Sequence, residues 1–482
     1  MIIVSIIGPT MNDALGQMKA SRRYADMLEL RLDMIADPNI STLLSSAKMP
    51  CIATCRPEWE GGSFKGSEAQ RIEILEAASL IGVEYVDIEL NAGDVVQEFV
   101  RRRKETRVIV SLHVIEGALF SIDKAYKALT SVGADVVKLA YEAEDAGENI
   151  LAFEFLEKAK QQRLKAVAIA MGEAGEASRL LYKKFGGWAT YAAAETGSIA
   201  ALGQISGSVL KKLYRADSLK PQTRVFGVIG NPLKQSKGTH LHNPLFQKAK
   251  MDAVYCKFPV ADLDAFMNGV GTRLDGFSVT IPHKQNIMKY LDEIDPVAKT
   301  IGAVNTVVRR KNKLYGTNTD APGALDAIEA VQPVKGKRVL VVGAGGAARA
   351  IAYEAKQRGA HVLIVNRTDK KAQVLAKEFG LEYVSLKQLE RTEIDIIANA
   401  TSVGMVPDVN ESPLPKALLK GKVVFDAVYN PPLTKLLQDA KSVGAKTISG
   451  TEMYLNQAAM QSVLYTGKKA DKKFMKRILM AV

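Results

Sequence analysis

ADVVKLA, Ala134 to Ala140, reads as a short buried β-strand. Val136, Val137, Leu139 and Ala140 are apolar, Gly133 precedes the run, and an acidic stretch after Tyr141 ends it. Lys138 stands in the middle, where an amine loses its hydration shell and its charged form is disfavoured. Seven further apolar runs share the first ~215 residues with it: MIIVSII, MLELRLD, PCIATCR, EYVDIEL, RVIVSLH, KAVAIAM and WATYAAA. Segments of helical period such as SEAQRIEILEAASL and SIDKAYKALTSV lie between them. Eight strand–helix units of this length predict a closed (β/α)8 TIM barrel over residues 1–217.

RADSLKPQTR, Arg215 to Arg224, breaks the pattern and reads as a linker. A second α/β region starts at TRVFGVIGNP. A third starts at KGKRVLVVGAGGAARAIAYEAKQRGAHVLIVNRT, Lys335 to Thr368. The expected class is α/β throughout, with domains at 1–217, 223–325 and 326–453, and a last helix (454–482) packing back on the middle domain.

The composition narrows the function classes. No apolar run of the 482-residue chain approaches the ~20 residues of a membrane span. The net charge of +13 is spread along the sequence. Its one dense run, RRRK at Arg101 to Lys104, sits on the polar side of a predicted helix, so we expect small anionic substrates and no nucleic acid. The three cysteines, Cys51, Cys55 and Cys256, have no ligand-like spacing and read as core thiols of a reducing compartment, so no metal is expected. MIIVSIIGP has no basic leader and no cleavage site, which points to the cytoplasm.

Polar residues recur at the ends of the barrel strands. Glu29 and Arg31 end the second, although these two could simply pair. Arg56 ends the third with Glu60 beyond it, His113 ends the fifth, and Met171 ends the seventh, with Arg179 on the next helix. In a parallel barrel these ends converge on one mouth. Beside arginines, a desolvated Lys138 would have a lowered pKa, and its neutral amine could attack a carbonyl to form a Schiff base. His113, the only histidine of this half, could then move the proton made acidic by the iminium. Arg179 suits a carboxylate clamp.

ELRLD, CRPEWEGG, SLH, DVVKLA, AMGEAGEASRL and ALGQ follow one another in an order that resembles type I 3-dehydroquinate dehydratase. The resemblance implies Schiff-base dehydration of 3-dehydroquinate to 3-dehydroshikimate. Lys138 would be the imine lysine, His113 the proton shuttle and Glu60 its support. Glu29, Arg31, Arg56, Met171, Arg179 and Gln204 would hold the substrate. The lid segment departs from the family: AALGQ, Ala200 to Gln204, places Ala200 where a serine would contact substrate, a loss of about 1 kcal/mol of binding. Gly197 and Gly203 flank it as candidate hinges.

In the second half, Gly343, Ala344, Gly345, Gly346 and Ala347 follow the strand KRVLVV and open a helix, the context of a pyrophosphate site. The next strand ends in Asn366, Arg367 and Thr368, with Lys371 one turn on. An arginine there suits a 2′-phosphate and favours NADP over NAD. Lys284 in VTIPHK and Asp320 in GTNTDA form a candidate proton-transfer couple. The histidines His240, His242, His283 and His361 read as structural.

GNPLKQSKG, VTIPHK, GAVNTV, NTDAPG, GAGGAAR, NRT, NATSVGM and EMYLNQA resemble shikimate dehydrogenase. The resemblance implies reduction of 3-dehydroshikimate to shikimate with NADPH. Lys284 and Asp320 would be catalytic. Ser236, Thr280, Asn305, Tyr429 and Gln457 would contact substrate, and Thr401 the cofactor. Gly238 stands where a second serine is usual, which could admit quinate as a side substrate; Thr280 argues for shikimate. The two halves resemble enzymes acting on consecutive compounds, as in the fused enzymes of plants and some bacteria. A metabolite-sensing regulator on the same folds need not keep the proton-transfer residues, yet Lys138, His113, Lys284 and Asp320 are all present.

Overall fold

The computed structural model describes residues 1–102, 106–115, 121–197, 200–201 and 203–481. Arg103 and Lys104 of the basic run, and Leu202 of the lid segment, lie outside the described residues; Arg101 and Arg102 are exposed on the helix Asp94–Arg102.

Eight parallel strands form the first sheet: β1 (Ile2–Ile6), β2 (Met27–Arg31), β3 (Cys51–Thr54), β4 (Tyr85–Glu89), β5 (Arg107–Val114), β6 (Val136–Glu142), β7 (Ala166–Met171) and β8 (Thr190–Ala193). Their order is β7-β6-β5-β4-β3-β2-β1-β8. The ring is brought together where the Trp188 N–H, just before β8, donates to the Ala166 carbonyl at the start of β7, at 2.8 Å. All eight runs read from the sequence are barrel strands.

Side chains along a strand alternate between the two faces. Ile3, Met27, Ile52, Tyr85, Ile109, Val136, Val167 and Tyr191 fill the interior as one apolar cluster. Two residues further along, on the same inward face, come Ser5, Glu29, Thr54, Asp87, Ser111 and Lys138. The register sets Ser5 beside Glu29 and Ser111 beside Lys138. The polar site therefore sits directly on the apolar plug, toward the carboxyl ends of the strands.

The chain packs as two compact units, Met1–Gly227 with Asp252–Leu274, and Val228–Met251 with Asp275–Val482. The expected linker is packed rather than loose: Ala216–Ser218 form a short turn, Ala216, Leu219 and Thr223 are buried, and Arg224 already begins β9.

A mixed sheet follows the barrel: β9 (Arg224–Gly230), β10 (Ala253–Pro259), β11 (Gly276–Val279), β12 (Glu293–Ile294), β13 (Thr306–Arg310) and β14 (Lys313–Thr317), in the order β10-β9-β11-β13-β14-β12. Lys311 and Asn312, both at positive φ (47° and 66°), make the two-residue turn between β13 and β14, the geometry that matches strand twist.

The third sheet is wholly parallel: β15 (Arg338–Val342), β16 (His361–Val365), β17 (Glu382–Tyr383), β18 (Ile396–Asn399), β19 (Val423–Asp426) and β20 (Lys446–Ile448). Its order, β17-β16-β15-β18-β19-β20, reverses direction between β15 and β18. That is the doubly wound dinucleotide-binding topology, with its ligand crevice at the switch point.

The chain ends in two helices rather than the one expected from Tyr454. Gly450–Thr466 and Lys472–Ala481 are separated at Gly467, whose φ of 70° ends the first. Leu455, Met475 and Leu479 pack on Leu241 and Leu245 of the helix Gly238–Lys248. Gly450–Thr466 also lies against Asp320–Glu329, where a Cβ at Gly323 would come 3.0 Å from Gln457. Among the described residues, no helix is long and apolar enough to cross a membrane.

Candidate active sites

Lys138 is buried, with 4% of its surface exposed. Its Nζ donates to Asp87 Oδ2 at 2.8 Å, lies 3.7 Å from Glu29 Oε1, and stands 4.2 Å from the centroid of the Tyr191 ring. This corrects the expectation drawn from the sequence. Apolar walls and arginines are the expectation around the amine, but two carboxylates, Asp87 and Glu29, face it. Asp87 is the hub. It also accepts from Ser111 Oγ at 2.5 Å and pairs with Arg56 at 3.0 Å. Burial alone would raise its carboxyl; the Arg56 and Lys138 cations outweigh burial and hold it well below the usual carboxylate range.

Arg56 extends the network by donating to Glu89 at 2.5 Å and Ser111 at 2.8 Å, with Glu60 at 4.0 Å. Glu89 is held from its other side by the fully buried Arg71, which also bonds the Cys55 carbonyl. Glu29 accepts from Ser5 at 2.6 Å and Thr54 at 3.1 Å. Arg31 makes a two-pronged pair with Asp33 at 2.9 and 2.7 Å, so it does not pair with Glu29.

His113 Nδ1 lies 2.9 Å from Glu60 Oε2, and the His113 backbone N–H donates to the same oxygen at 3.2 Å. Asn91 donates to the other Glu60 oxygen at 3.0 Å. A carboxylate can only accept, so Nδ1 carries the proton and Nε2 keeps its lone pair. Burial first, then the Arg56 and Lys138 charges, hold the imidazole pKa well below its usual value, leaving the ring neutral. Burial pushes the Glu60 carboxyl up to about 7.

These groups open on a cavity of about 230 Å³. Of the residues expected from the sequence, Glu29, Arg31, Arg56, Glu60, His113, Lys138, Met171, Arg179 and Gln204 all line it, as does Ala200. Arg179 donates to the Tyr191 carbonyl at 3.3 Å, and burial lowers its guanidinium to about 10. Gln204 accepts from the Ala200 N–H at 3.0 Å and reaches Ser5 Oγ at 3.5 Å. Asp87, Glu89, Ser111 and Tyr191 were not singled out from the sequence. The signal for the two acids was available in VDIE, Val86 to Glu89, where they alternate in an otherwise apolar strand.

The second candidate site is more open. Lys284 Nζ donates to Asp320 Oδ2 at 2.6 Å, with 17% and 8% of their side chains exposed. Asp320 begins the helix Asp320–Glu329, and the Asn318 side chain accepts its N–H at 3.0 Å. Asn305 accepts from the Thr319 N–H at 2.8 Å and donates to Thr319 Oγ1 at 3.0 Å, while Thr319 donates to Gln457 at 3.4 Å. Asn305 and Gln457 are thus held by one shared threonine. Tyr429 stacks on Tyr454 with ring centroids 4.7 Å apart, and its hydroxyl donates to the Gln235 carbonyl at 3.5 Å. Ser236 accepts from the Gly238 N–H at 3.4 Å. Thr280 follows β11 and donates its N–H to the Ile229 carbonyl at 2.9 Å.

The turn after β15 fits a dinucleotide. Gly343 has φ of 120°, a conformation that requires glycine, and a Cβ there would press on Thr401 at 3.2 Å. Gly345 caps the helix Gly346–Gln357 without a side-chain bond, and a Cβ on it would meet nothing within 4 Å, leaving room at the helix N-terminus that suits a pyrophosphate. Ala344 lies in the same turn, and Ala347 is the second residue of that helix. A Cβ at Gly346 would come 3.3 Å from Lys284 Cδ, which sets the cradle against the proton-transfer pair. Arg367, Thr368 and Lys371 are exposed beyond β16, and Asn366 donates to the Thr368 carbonyl at 3.1 Å. Thr401 is fixed by donating to Asn399 at 2.7 Å.

Three family models match the chain: type I 3-dehydroquinase over residues 2–221, the shikimate dehydrogenase substrate binding domain over 228–307, and shikimate / quinate 5-dehydrogenase over 326–421. The chain is 37% identical to a chloroplastic bifunctional 3-dehydroquinate dehydratase/shikimate dehydrogenase of Arabidopsis thaliana, across 98% of this chain and 84% of that protein. It is 42% identical to an NADP(+) shikimate dehydrogenase of Shouchella clausii, across 53% of this chain and 98% of that one. A solved shikimate dehydrogenase in complex with NADP+ superposes with a TM-score of 0.52 at 40% identity, covering 55% of this chain and 96% of that chain.

Proposed function

This chain belongs to the bifunctional 3-dehydroquinate dehydratase/shikimate dehydrogenase family, and from that premise we propose how its residues divide the work. The enzyme dehydrates 3-dehydroquinate to 3-dehydroshikimate and reduces 3-dehydroshikimate to shikimate with NADP(H). We assign the dehydratase to residues 1–217, substrate binding for the reductase to 223–325 with 454–482, and cofactor binding to 326–453.

In the barrel, Lys138 passes its extra proton to the surrounding network and attacks the substrate ketone; water leaves and an iminium forms. His113 Nε2 removes the proton from the neighbouring carbon, whose electrons flow toward the iminium. The same imidazolium returns the proton to the departing hydroxyl, so water is lost. Hydrolysis of the imine regenerates the amine. Glu60 orients His113, and Asp87 stays the counter-ion throughout. Arg179 faces the substrate carboxylate, while Glu29, Arg31, Arg56, Met171 and Gln204 contact the ring. The observation that carries this reading is the pairing of a buried Lys138–Asp87 contact with a His113–Glu60 contact on one small cavity.

In the reductase site, Lys284 protonates the developing alkoxide and Asp320 orients the ammonium. Ser236, Thr280, Asn305, Tyr429 and Gln457 hold the substrate. When bound, the dinucleotide supplies the reducing equivalent. Gly343 to Ala347 and Thr401 hold its pyrophosphate end, and Asn366, Arg367, Thr368 and Lys371 its adenosine 2′-phosphate. Gly238 makes quinate a weak second substrate. The free, buried cysteines fit a reducing compartment, and we place the enzyme in the cytoplasm.

Borohydride reduction in the presence of 3-dehydroquinate tests the barrel assignment. The adduct mass is expected on the peptide containing Lys138, and labelling elsewhere refutes it.

A further inference from the structure

Tyr191 faces the barrel interior from β8, packed in the apolar cluster with Ile3, Tyr85 and Val167. It also lines the cavity, alongside Lys138, Glu29 and Arg56. The hydroxyls of Ser5, Thr54 and Ser111 on other barrel strands each donate to a carboxylate. The Tyr191 hydroxyl is buried and has no hydrogen-bond partner among the described residues. A buried hydroxyl left in that state costs stability, and phenylalanine would fill nearly the same volume without the cost. Because Tyr191 lines the substrate cavity, an unmet donor on this residue calls for a partner that arrives with the ligand.

We propose that Tyr191 is a further substrate-contacting residue of the dehydratase, its ring supporting the Lys138 cation and its hydroxyl donating to an oxygen of the bound ring substrate. The inference rests on the barrel assignment above. Burial holds the phenol well above its usual pKa, so it enters the complex as a donor. The ring has a separate part. Its face attracts positive charge, and both the ammonium and the iminium of Lys138 are positive, so the contact survives the change from one to the other.

Tyr191→Phe and Tyr191→Leu in the full chain separate the two parts. Tyr191→Phe is expected to raise KM for 3-dehydroquinate about tenfold while kcat stays within about twofold. Its Tm should be equal or higher, because the unmet donor is gone. Tyr191→Leu is expected to lower kcat about tenfold as well and to slow borohydride trapping at Lys138. Reduction of 3-dehydroshikimate by the same preparations reports folding and should be unchanged. An unaltered KM in Tyr191→Phe overturns the hydroxyl contact, and an unaltered kcat in Tyr191→Leu overturns the ring's part. If the unsubstituted enzyme is trapped at Lys138 while both variants keep wild-type kinetics, the barrel assignment stands and the role of Tyr191 falls. If the unsubstituted enzyme is not trapped there, the barrel assignment itself falls.

Discussion

The two proposed catalytic centres are each built on a lysine donating to an aspartate, at 2.8 Å for Lys138–Asp87 and 2.6 Å for Lys284–Asp320. The pairs look alike, but their surroundings separate them. Asp87 is fully buried and shared among Lys138, Arg56 and Ser111, and an aromatic face backs the lysine. Asp320 sits buried at a helix start, its lysine partner is the more exposed of the two, and Lys284 abuts a glycine turn shaped for a dinucleotide. In the proposed mechanism one lysine becomes a covalent nucleophile and the other hands over a proton. On that reading the residue pair alone does not decide which; the charges around it do.

Crossed lysine substitutions should separate the two centres most strongly. Lys138→Met should lower dehydration kcat by roughly 10³-fold or more while leaving dehydroshikimate reduction intact. Lys284→Met should do the converse, lowering reduction by about 10²–10⁴-fold. Separate assays of the two steps check this, and loss of both activities in either folded variant would defeat the two-site division.

The aspartates should differ in what they do for the fold. Asp87→Asn removes the buried counter-ion that Arg56 and Lys138 share, leaving Arg56 to Glu89 and Lys138 to the more distant Glu29, and should destabilise by about 3 kcal/mol. Asp320→Asn, in a partly open pair, should cost about 1 kcal/mol. Denaturant midpoints measure both.

Arg367→Ala should raise KM for NADPH by about 10–100-fold and leave NADH use nearly unchanged, the scale of losing a hydrogen bond to a charged group. Equal effects on both cofactors would remove Arg367 from the 2′-phosphate site.

The smallest effect sharpens the contrast through pH. Glu60 takes up a proton as pH falls through about 7, and it then no longer holds the imidazole by a charged contact. Dehydration kcat/KM should therefore fall by up to tenfold per unit below that pH. Glu60→Gln should flatten this limb, and the limb should be absent from reduction.

Much of this was legible in the sequence because strand ends and glycine turns carry their chemistry locally. All eight barrel strands, the convergence of Arg56, Glu60, His113 and Lys138, and the Gly343–Ala347 cradle follow from patterns a few residues long. Asp87 escaped because it lies two residues inside β4, whereas the sequence reading followed the strand termini. Its role depends on a neighbour 51 residues away. For the same reason the surroundings of Lys138 were misjudged: flanking residues in one strand reveal its outward neighbours, while the groups facing it come from β2, β4 and β8. The partner of Arg31 is also not legible from β2 alone, because Asp33 lies two residues on, past the end of the strand.

Asp87 divides its oxygens, with Oδ1 to Ser111 and Oδ2 to both Lys138 and Arg56. In the proposed cycle, Arg56 remains on the same oxygen when Lys138 surrenders a proton to become a nucleophile. On that reading the buried anion keeps a counter-ion at every step, so the barrel centre need not admit water to solvate it, and the enzyme can keep this carboxylate dry.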